Sequence, residues 1–272
     1  ALRHDAGVRH ARHALNSTSS AGDIEVFDAD GRFDDAPKIK AKEDLAQAVR
    51  IRKWALATAD VLKPDDIPDG VVRYGEDYAN AFYDGKHLVF GMGDKEIFKD
   101  FTLGIDIFAH EFGHKLIELG PNLEYAGQPG ALNEHVADVI GVSVRSAAVG
   151  GEYNWRIGSE IFMDGKSALR NMKEPGTAYN NALLGADPQV GHMSKYDSTF
   201  LDNGGVHINS GIPNKAFVLF TEGIGMNPHE APLAIWLKAL AMSGPRTDFS
   251  LFAGACVKAA APDGFEQEMR AA

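Results

Sequence analysis

The stretch Phe108-Ala109-His110-Glu111-Phe112-Gly113-His114 contains the pattern H-E-x-x-H. On a helix, His110 and His114 are four residues apart and lie one turn apart on the same face. Two imidazoles in that arrangement can hold one zinc ion at about 2.0–2.1 Å each. Glu111 lies beside them, close enough to contact a water molecule on the metal without being a ligand. The stretch therefore predicts a zinc site built on one helix.

The residues around this pattern favour a buried helix. Apolar side chains lie on most of its sides, namely Ile105, Ile107, Phe108, Ala109, Phe112, Leu116 and Ile117. Gly120-Pro121 is a typical helix end. Gly113 costs roughly 1 kcal/mol relative to alanine inside a helix, and we interpret it as a point where a neighbouring helix approaches closely.

Composition excludes several classes of protein. The chain has 272 residues and a net charge of −11, with a pI near 5.3, which argues against a nucleic-acid partner. No apolar run approaches the ~18 residues of a membrane span, so we expect no membrane association. The single cysteine, Cys256, excludes an internal disulfide framework, and its apolar surroundings favour an inert buried thiol.

The first part of the chain is predicted to be rich in strands. Residues 1–22 are polar and are predicted to form an exposed leader, with His10 and His13 as a weak alternative metal pair. We expect a hairpin over Asp23–Asp35, a helix over Lys42–Val61, and strands over Val71–Tyr74 and Asn80–Gly91, the last broken by an Asp84-Gly85 turn. The helix is predicted to turn five residues towards a core: Leu45, Val49, Trp54, Leu56 and Val61.

After the histidine helix the pattern becomes mostly helical. A helix is predicted over Ala131–Ala148, and loops over 164–166, 175–191 and 202–205. This change indicates an α+β protein, with a β-rich lobe over residues 23–118 that ends in the zinc helix, and a helical lobe over 119–272. The active-site helix would then lie at their junction, a usual place for a cleft.

A third metal ligand can be sought on the helix that follows. Glu134 comes 20 positions after His114, which is enough for one helix to end and another to pack beside it. Glu134 and Asp138 are four residues apart, so both can face the zinc helix. We assign Glu134 as the third ligand and Asp138 as the carboxylate that accepts the N–H of a ligand histidine. The alternative is an ordinary solvated acidic face. His135 points about 100° away and is a poor ligand.

Two further patterns bear on the chemistry. The longer metzincin motif requires glycine and a ligand where this chain has Ile117 and Gly120, so that family is excluded. Downstream, Asp202–Gly211 contains His207 behind an aspartate, a candidate donor to a developing oxyanion. The alternative is an Asn/Gly-rich turn that happens to contain a histidine.

Taken together, the chain resembles the thermolysin family of zinc metalloendopeptidases from about residue 23 to its end. A lone H-E-x-x-H is a weak sign, but five matching stretches in the right order are specific. They are Asn80–Gly85, His110–His114, Gly130–Glu134 with Asp138, Leu169–Met172 and Asp202–Gly211. The resemblance implies an N-terminal β-rich lobe and a C-terminal α-helical lobe joined by a central zinc-binding helix.

The resemblance also implies roles for the matched positions. His110, His114 and Glu134 would hold one zinc ion, and Glu111 would be the general base for the attacking water. His207, oriented by Asp202, and Tyr125 would stabilise the oxyanion. The substrate backbone would be aligned by Asn80, the Ala81 carbonyl and Arg170. The pocket for the residue after the scissile bond would be lined by Phe98, Phe101, Ile107 and Leu169, which implies cleavage before bulky hydrophobic residues and a preference for aliphatic ones.

One departure from the family concerns calcium. Family members commonly bind two calcium ions through carboxylates, whereas here only Asp106 remains and the other matching positions are Arg145, Asn154, Arg156 and Ser159. Arginine cannot supply an oxygen ligand. We therefore predict that the double site is absent and that Arg145 and Arg156 pair with Asp106 and neighbouring acids. The loop Phe162–Lys166 also looks shortened, which puts a further calcium site in doubt.

The resulting prediction is a secreted, monomeric zinc endopeptidase that acts on proteins and peptides and has its own propeptide as a partner. A cytoplasmic location stays open. Two alternatives are a catalytically inactive zinc-binding scaffold protein of the same fold and a gluzincin aminopeptidase. The first is disfavoured because the residues that degenerate enzymes lose are intact, and the second because no segment for capturing a free amino terminus is visible.

Overall fold

The computed structural model describes residues 24–33, 39–150 and 153–272. The predicted leader at 1–22, with its histidine pair, lies outside these residues. Internal contacts divide the chain into two compact units: the first comprises residues up to Phe112 together with Gly158–Ser167, and the second comprises Gly113–Ile157 and Ala168–Ala272. The boundary falls inside one continuous helix. The predicted domain division at residue 118 stays a prediction.

The first unit contains a four-stranded sheet. Its strands are β1 (Val26–Asp28), β2 (Asp69–Val72), β3 (Ala81–Tyr83) and β4 (His87–Phe90), in the order β1-β2-β4-β3. Strand β2 pairs in parallel with both β1 and β4. Strand β3 pairs antiparallel with β4 and lies at the edge. The predicted Asp84-Gly85 turn between two strands is confirmed.

The helix α1 (Ala46–Leu62) is present, but the predicted core face is wrong. Val49 and Leu56 are 49% and 53% exposed. The helix instead buries its small and β-branched side chains, Ala48, Ile51, Ala55 and Thr58. Close contact with the sheet explains this choice, because a Cβ added to Gly70 on β2 would lie 2.7 Å from Cγ2 of Ile51.

In the described part of this segment, residues 24–33, the predicted hairpin over 23–35 is also wrong. Asp30 and Gly31 do form a left-handed turn after β1, with φ of 50° and 80°. The chain beyond the turn bonds elsewhere: the Gly31 N–H donates to the Arg73 carbonyl and the Gly75 N–H to the Arg32 carbonyl. Strand β1 therefore pairs in parallel with β2, and its other edge meets Lys40 in a single antiparallel bridge.

The second unit is mainly helical. Its helices, beyond α2 (Ile105–Leu119), which both units share, are α3 (Gly127–Ala148), α4 (Asp202–Asn209), α5 (Gly211–Ile224), α6 (Ala231–Ala241), α7 (Phe249–Ala260) and α8 (Glu266–Ala271). Two short antiparallel ribbons pair β5 (Arg156–Ile157) with β6 (Arg170–Asn171), and β7 (Asn180–Asn181) with β8 (Gly185–Ala186). The predicted strand-containing N-terminal region and helical C-terminal region are confirmed.

Within the second unit, Gly113 of α2 lies against α3. A Cβ at this position would be 3.0 Å from the Cα of Ala137 and 3.3 Å from its Cβ. Real side chains do not fit at that distance without a shift of the backbone. The expected close approach of a neighbouring helix at Gly113 is therefore confirmed, and it brings the end of the H-E-x-x-H motif against the helix that carries Glu134.

Candidate metal centre and active site

The two histidines of the motif lie on the buried face of α2. His110 and His114 are both buried, and the neighbouring Phe108 and Phe112 are fully enclosed. The helix is continuous through the motif, so the i, i+4 spacing places both imidazoles on one side. This is the arrangement that the sequence predicted.

Glu134 on α3 joins them. One ligand atom from each of His110, His114 and Glu134 lies within 4.8 Å of the others, and Nε2 of His114 is 3.7 Å from Oε1 of Glu134. Ligand atoms around a tetrahedral zinc ion lie about 3.3 Å apart, given bond lengths of about 2.0–2.1 Å. Two imidazoles and one carboxylate are a donor set that zinc accepts, with a fourth position left for water. The residues fit a zinc ion.

The alternative of a solvated acidic face on α3 is excluded by burial. Glu134 is 1% exposed and Asp138 is fully enclosed. Buried carboxylates require a cation or several hydrogen-bond donors nearby, because removing their charge from water is costly. These two residues therefore belong to a polar site inside the protein.

An asparagine orients His114. Nδ1 of His114 lies 2.7 Å from Oδ1 of Asn133. An amide oxygen only accepts, so Nδ1 carries the proton and Nε2 keeps the lone pair that a metal needs. Sequence reasoning missed this role for Asn133; its position directly before Glu134 was the available signal.

Asp138 binds Arg170 through both oxygens. Nε and one terminal nitrogen of Arg170 each donate to this carboxylate at 2.6 Å, and Nδ2 of Asn214 donates at 2.9 Å. A two-pronged pair of this kind fixes the guanidinium plane. The predicted bond from Asp138 to a ligand histidine stays a prediction.

His135 is a core histidine. Its Nδ1 lies 2.8 Å from Oδ1 of Asn214, and its Nε2 accepts from the indole N–H of Trp236 at 2.7 Å. Burial lowers the pKa of His135 to about 4, against the smaller raising effects of Asn214 and Asp138. The ring is therefore neutral at neutral pH, and both its nitrogens are occupied by protein partners, as expected of a residue that is not a ligand.

Glu111 is buried next to His110 and is held by strand β3. Its Oε2 accepts the backbone N–H of Tyr83 at 3.1 Å. Hydrogen bonding to the ionised form stabilises a carboxylate. The strand thus fixes a carboxyl acceptor beside the two histidines.

Tyr125 and His207 both contact Glu134. The Tyr125 hydroxyl donates to Oε1 of Glu134 and lies 3.5 Å from Nε2 of His207. Nε2 of His207 is 3.4 Å from Oε2 of Glu134. Two residues that lie 82 positions apart in the sequence therefore meet at one metal-ligand candidate.

Asp202 orients His207. One oxygen of Asp202 accepts from Nδ1 of His207 at 2.6 Å, and the other accepts the backbone N–H of His207 at 2.8 Å. The left-handed segment Asp202–Gly205 makes this double contact possible, with φ between 50° and 85°. Burial acts to lower the pKa of His207, but the charge of Glu134 and the bond to Asp202 more than offset it, so the pKa is raised.

The residues predicted to bind substrate occupy both units. In the first, Phe98 contacts Phe101 and Phe162 with ring centroids 5.7 and 4.8 Å apart. Ile107 is buried on α2, and Asn80 and Ala81 lie at the start of β3. Leu169 and Arg170 belong to the second unit, at the start of β6.

The region matched to the calcium site holds an arginine. Arg145 donates to the backbone carbonyls of Asn154 and Arg156, each at 2.9 Å, and to Oδ1 of Asn154. Asp106 accepts the backbone N–H of Gly158 and of Ile107, each at 2.9 Å. The predicted ion pairs from Arg145 and Arg156 to Asp106 stay a prediction.

Across the described helices, none combines the length and the apolar character that crossing a membrane requires.

Comparison with known proteins identifies the family. The profile described as "Thermolysin metallopeptidase, catalytic domain" matches residues 65–118. The profile described as "Thermolysin metallopeptidase, alpha-helical domain" matches residues 121–271, which alone exceeds half of the chain. The first match ends at residue 118 within α2, and the second begins at residue 121, just after this helix.

Individual relatives agree. An extracellular metalloprotease of Pectobacterium carotovorum subsp. carotovorum is 42% identical over 216 residues, which cover 76% of this chain and 62% of the relative. A thermolysin of Alicyclobacillus acidocaldarius subsp. acidocaldarius is 36% identical over 200 residues, which cover 70% of this chain and 35% of the relative. The chain thus spans less than two thirds of either relative.

A solved structure matches nearly the whole chain. The precursor of protealysin, a metalloproteinase from Serratia proteamaculans, superimposes with a TM-score of 0.87 at 33% identity, covering 94% of this chain and 88% of that one. The predicted fold class is confirmed by this match. Together with the profile matches, it shows that the chain belongs to the thermolysin metallopeptidase family.

Proposed function

We propose that the chain is a zinc-dependent endopeptidase that cleaves peptide bonds on the amino side of bulky hydrophobic residues. The observation that carries this proposal is the buried cluster of His110, His114 and Glu134, with Glu111 fixed beside it. When bound there, zinc would lower the pKa of a water molecule to about 7 and polarise the substrate carbonyl.

Glu111 would act as the general base. It lies next to His110 on the helix, and the bond from the Tyr83 N–H holds its carboxylate in one direction. A carboxylate so placed can take a proton from the attacking water and later pass it to the leaving amine. Because Glu111 is anchored on β3 as well as on α2, this transfer needs no rearrangement of the side chain.

His207 and Tyr125 would stabilise the oxyanion of the tetrahedral intermediate. His207 can donate from Nε2, because Asp202 accepts from its Nδ1 and favours the charged ring. The Tyr125 hydroxyl lies beside it and can turn from Glu134 to the substrate oxygen. Donors that are already oriented reduce the reorganisation that the reaction requires.

The edge strand β3 would align the substrate backbone. The backbone of Asn80 and Asp84 bonds to β4, so the alternate residues Ala81 and Tyr83 direct their N–H and C=O groups to the outer edge. The outward N–H of Tyr83 is the one that binds Glu111. An extended peptide bonded to the Ala81 carbonyl, with the Asn80 side chain and Arg170 as further contacts, would therefore pass near the general base.

Specificity would come from the apolar residues Phe98, Phe101, Ile107 and Leu169. Three of them are buried and rigidly packed, and Leu169 is half-buried. Such residues favour an apolar side chain after the scissile bond. The two phenylalanine rings favour Leu, Ile and Val over larger aromatic residues.

We infer that the calcium double site is absent. The guanidinium of Arg145 already donates to the two carbonyls and the amide oxygen of residues 154 and 156. A fixed positive charge therefore occupies oxygens that a bound cation would need. Zinc would be the one metal of the enzyme.

Peptides and proteins are the proposed substrates, and its own propeptide is a proposed partner, in line with the related structure being that of a precursor. Secretion is proposed because a relative is named an extracellular metalloprotease. A monomer suffices, since all proposed functional residues belong to one chain, and the net charge of −11 disfavours nucleic acid.

A peptide blocked at both ends, with one central leucine, tests the activity. We expect cleavage between the preceding residue and the leucine, mapped by mass spectrometry, and slower cleavage when phenylalanine replaces the leucine. Hydrolysis of an unblocked aminoacyl substrate alone would indicate an aminopeptidase. Zinc binding without cleavage of either substrate would indicate the inactive scaffold protein. Equal rates for leucine and phenylalanine would contradict the proposed shape of the pocket.

A further inference from the structure

A chain of buried hydrogen bonds leads from Trp236 to Arg170. The indole N–H of Trp236 on α6 donates to Nε2 of His135 on α3 at 2.7 Å. Nδ1 of His135 lies 2.8 Å from Oδ1 of Asn214 on α5, and Nδ2 of Asn214 donates to Asp138 at 2.9 Å. Asp138 in turn holds Arg170 through both oxygens. The first four residues of this chain are buried.

The donors and acceptors in this series of hydrogen bonds can be arranged in only one way. An indole N–H can only donate, so Nε2 of His135 must accept, and the neutral ring carries its proton on Nδ1. Nδ1–H then donates to Oδ1 of Asn214, which leaves the NH2 group of Asn214 facing the carboxylate of Asp138. The opposite tautomer would set a lone pair against the oxygen of Asn214 or turn that oxygen towards a negative charge.

Asn214 alone would not fix this orientation, because its oxygen and nitrogen differ little in size. The side chain could rotate by 180° and present its oxygen to Asp138. Trp236 and His135 prevent this rotation. Because Trp236 keeps the proton of His135 on Nδ1, a donor faces one side of the Asn214 amide. Asp138 thus receives three defined donors, one from Asn214 and two from Arg170.

We propose that His135, held in one tautomer by Trp236, is a positioning residue that acts through Asn214 and Asp138 to set the orientation of Arg170 towards the substrate. This inference rests on the proposed peptidase activity, in which Arg170 aligns the substrate backbone. It assigns to α6 and α5 a part in substrate binding, although neither Trp236 nor Asn214 carries a predicted catalytic role.

The test compares three variants, two at His135 and one at Trp236. His135→Gln retains an acceptor for Trp236 and a donor for Asn214, whereas His135→Leu removes both. Trp236→Phe keeps an aromatic ring but removes the N–H together with part of the buried indole, so its loss of packing needs a control. For His135→Leu and Trp236→Phe we expect roughly a tenfold loss of kcat/KM on the blocked peptide, mainly through KM, with unchanged zinc content. His135→Gln should recover most of the loss.

Phe217→Leu is the matched control for damage to packing. Phe217 packs on Trp236 with ring centroids 4.8 Å apart but makes none of the hydrogen bonds in the chain described above. It should lower thermal stability without raising KM. ¹⁵N spectroscopy of the imidazoles, assigned by comparison with His135→Gln, should show His135 protonated at Nδ1 in the wild-type protein.

Three results would overturn the inference: an Nε2-protonated His135, a rise in KM for Phe217→Leu as large as that for Trp236→Phe, or equal loss in the glutamine and leucine variants. If His135→Leu does not fold, Trp236→Phe and the spectrum still decide. A wild-type protein that cleaves nothing would instead refute the proposed activity, so the two failures are distinguishable.

Discussion

At the scale of single residues, three of the polar groups proposed for the reaction are each held by a second group. Tyr83 holds Glu111, Asn133 holds His114, and Asp202 holds His207, at 2.6–3.1 Å. A buried polar side chain without such a partner would destabilise the folded state and could adopt several orientations. The supporting bonds therefore determine how well the catalytic groups are aligned. Substitution of a catalytic group and substitution of its supporting group should have different effects.

Glu111→Gln should abolish activity and leave the metal in place. The amide keeps the shape of the side chain but cannot accept the proton, so we expect kcat to fall by at least about 10²–10⁴-fold, with zinc content unchanged by elemental analysis. Glu118→Gln, the same change at an exposed position on α2, is the control and should retain full activity. Appreciable activity in the Glu111 variant would show that Glu111 is not the general base.

His207→Phe should lower kcat by about 10²–10³-fold with little change in KM, because the lost hydrogen bond forms to the oxyanion and not to the bound substrate. Steady-state kinetics on the blocked peptide measures both constants. His192→Phe, at an exposed histidine of the same unit, is expected to behave as wild type. A pure KM effect at His207 would indicate a role in substrate binding only.

The residues that sequence reasoning found and those that it missed differ in their separation along the chain. H-E-x-x-H and Asp202–His207 are local patterns, so spacing alone conveys their geometry. The bonds from His135 to Asn214 and to Trp236 join residues 79 and 101 positions apart. No pattern in one sequence reports such a pair, because it depends on which helices pack together.

At the scale of elements, helix α1 shows why the existence of a helix is easier to predict than its buried face. Apolar residues lie on several sides of α1, so periodicity supports more than one core face. The buried side is the one with Ala48 and Ala55, whose small side chains let the helix approach the sheet. Close packing of this side, which sequence periodicity does not measure, left Val49 and Leu56 exposed.

Two glycines in helices should respond oppositely to alanine. At Gly113 the new Cβ would lie 3.0 Å from the backbone of Ala137, whereas at Gly254 on α7 nothing lies within 4 Å. We expect Gly254→Ala to raise the free energy of unfolding by roughly 0.5–1 kcal/mol through helix propensity, and Gly113→Ala to lower it by about 1 kcal/mol because α2 and α3 must separate. Denaturant unfolding measures both; a stabilised Gly113 variant would show that the helices have room.

At the scale of the whole molecule, Arg145 supplies a covalently attached positive charge to the region in which we propose that calcium is absent. Arg145 donates to three oxygens of the segment that leads into β5. Unlike a metal, a guanidinium cannot be removed by a chelator. The stability of this region should therefore depend on the side chain and not on the calcium concentration.

A calcium chelator, used at a concentration that leaves zinc bound, should not change the thermal midpoint. Arg145→Met should lower it by several degrees, because the acceptors in 154–156 lose charged hydrogen bonds, each of which contributes about 1.5–3 kcal/mol. Scanning fluorimetry measures both, with zinc content checked on the same samples. A marked drop in the midpoint with the chelator would show that a calcium site remains.

The most direct test of the central claim is the zinc dependence of peptide cleavage. The purified protein is analysed for zinc and assayed on the doubly blocked leucine peptide before 1,10-phenanthroline, after it, and after zinc is restored. We predict about one zinc per chain, loss of cleavage with loss of zinc, and recovery on its return. Cleavage that persists in zinc-free protein, or zinc-loaded protein that cleaves no peptide, would contradict the assignment of His110, His114, Glu134 and Glu111 to one catalytic metal centre.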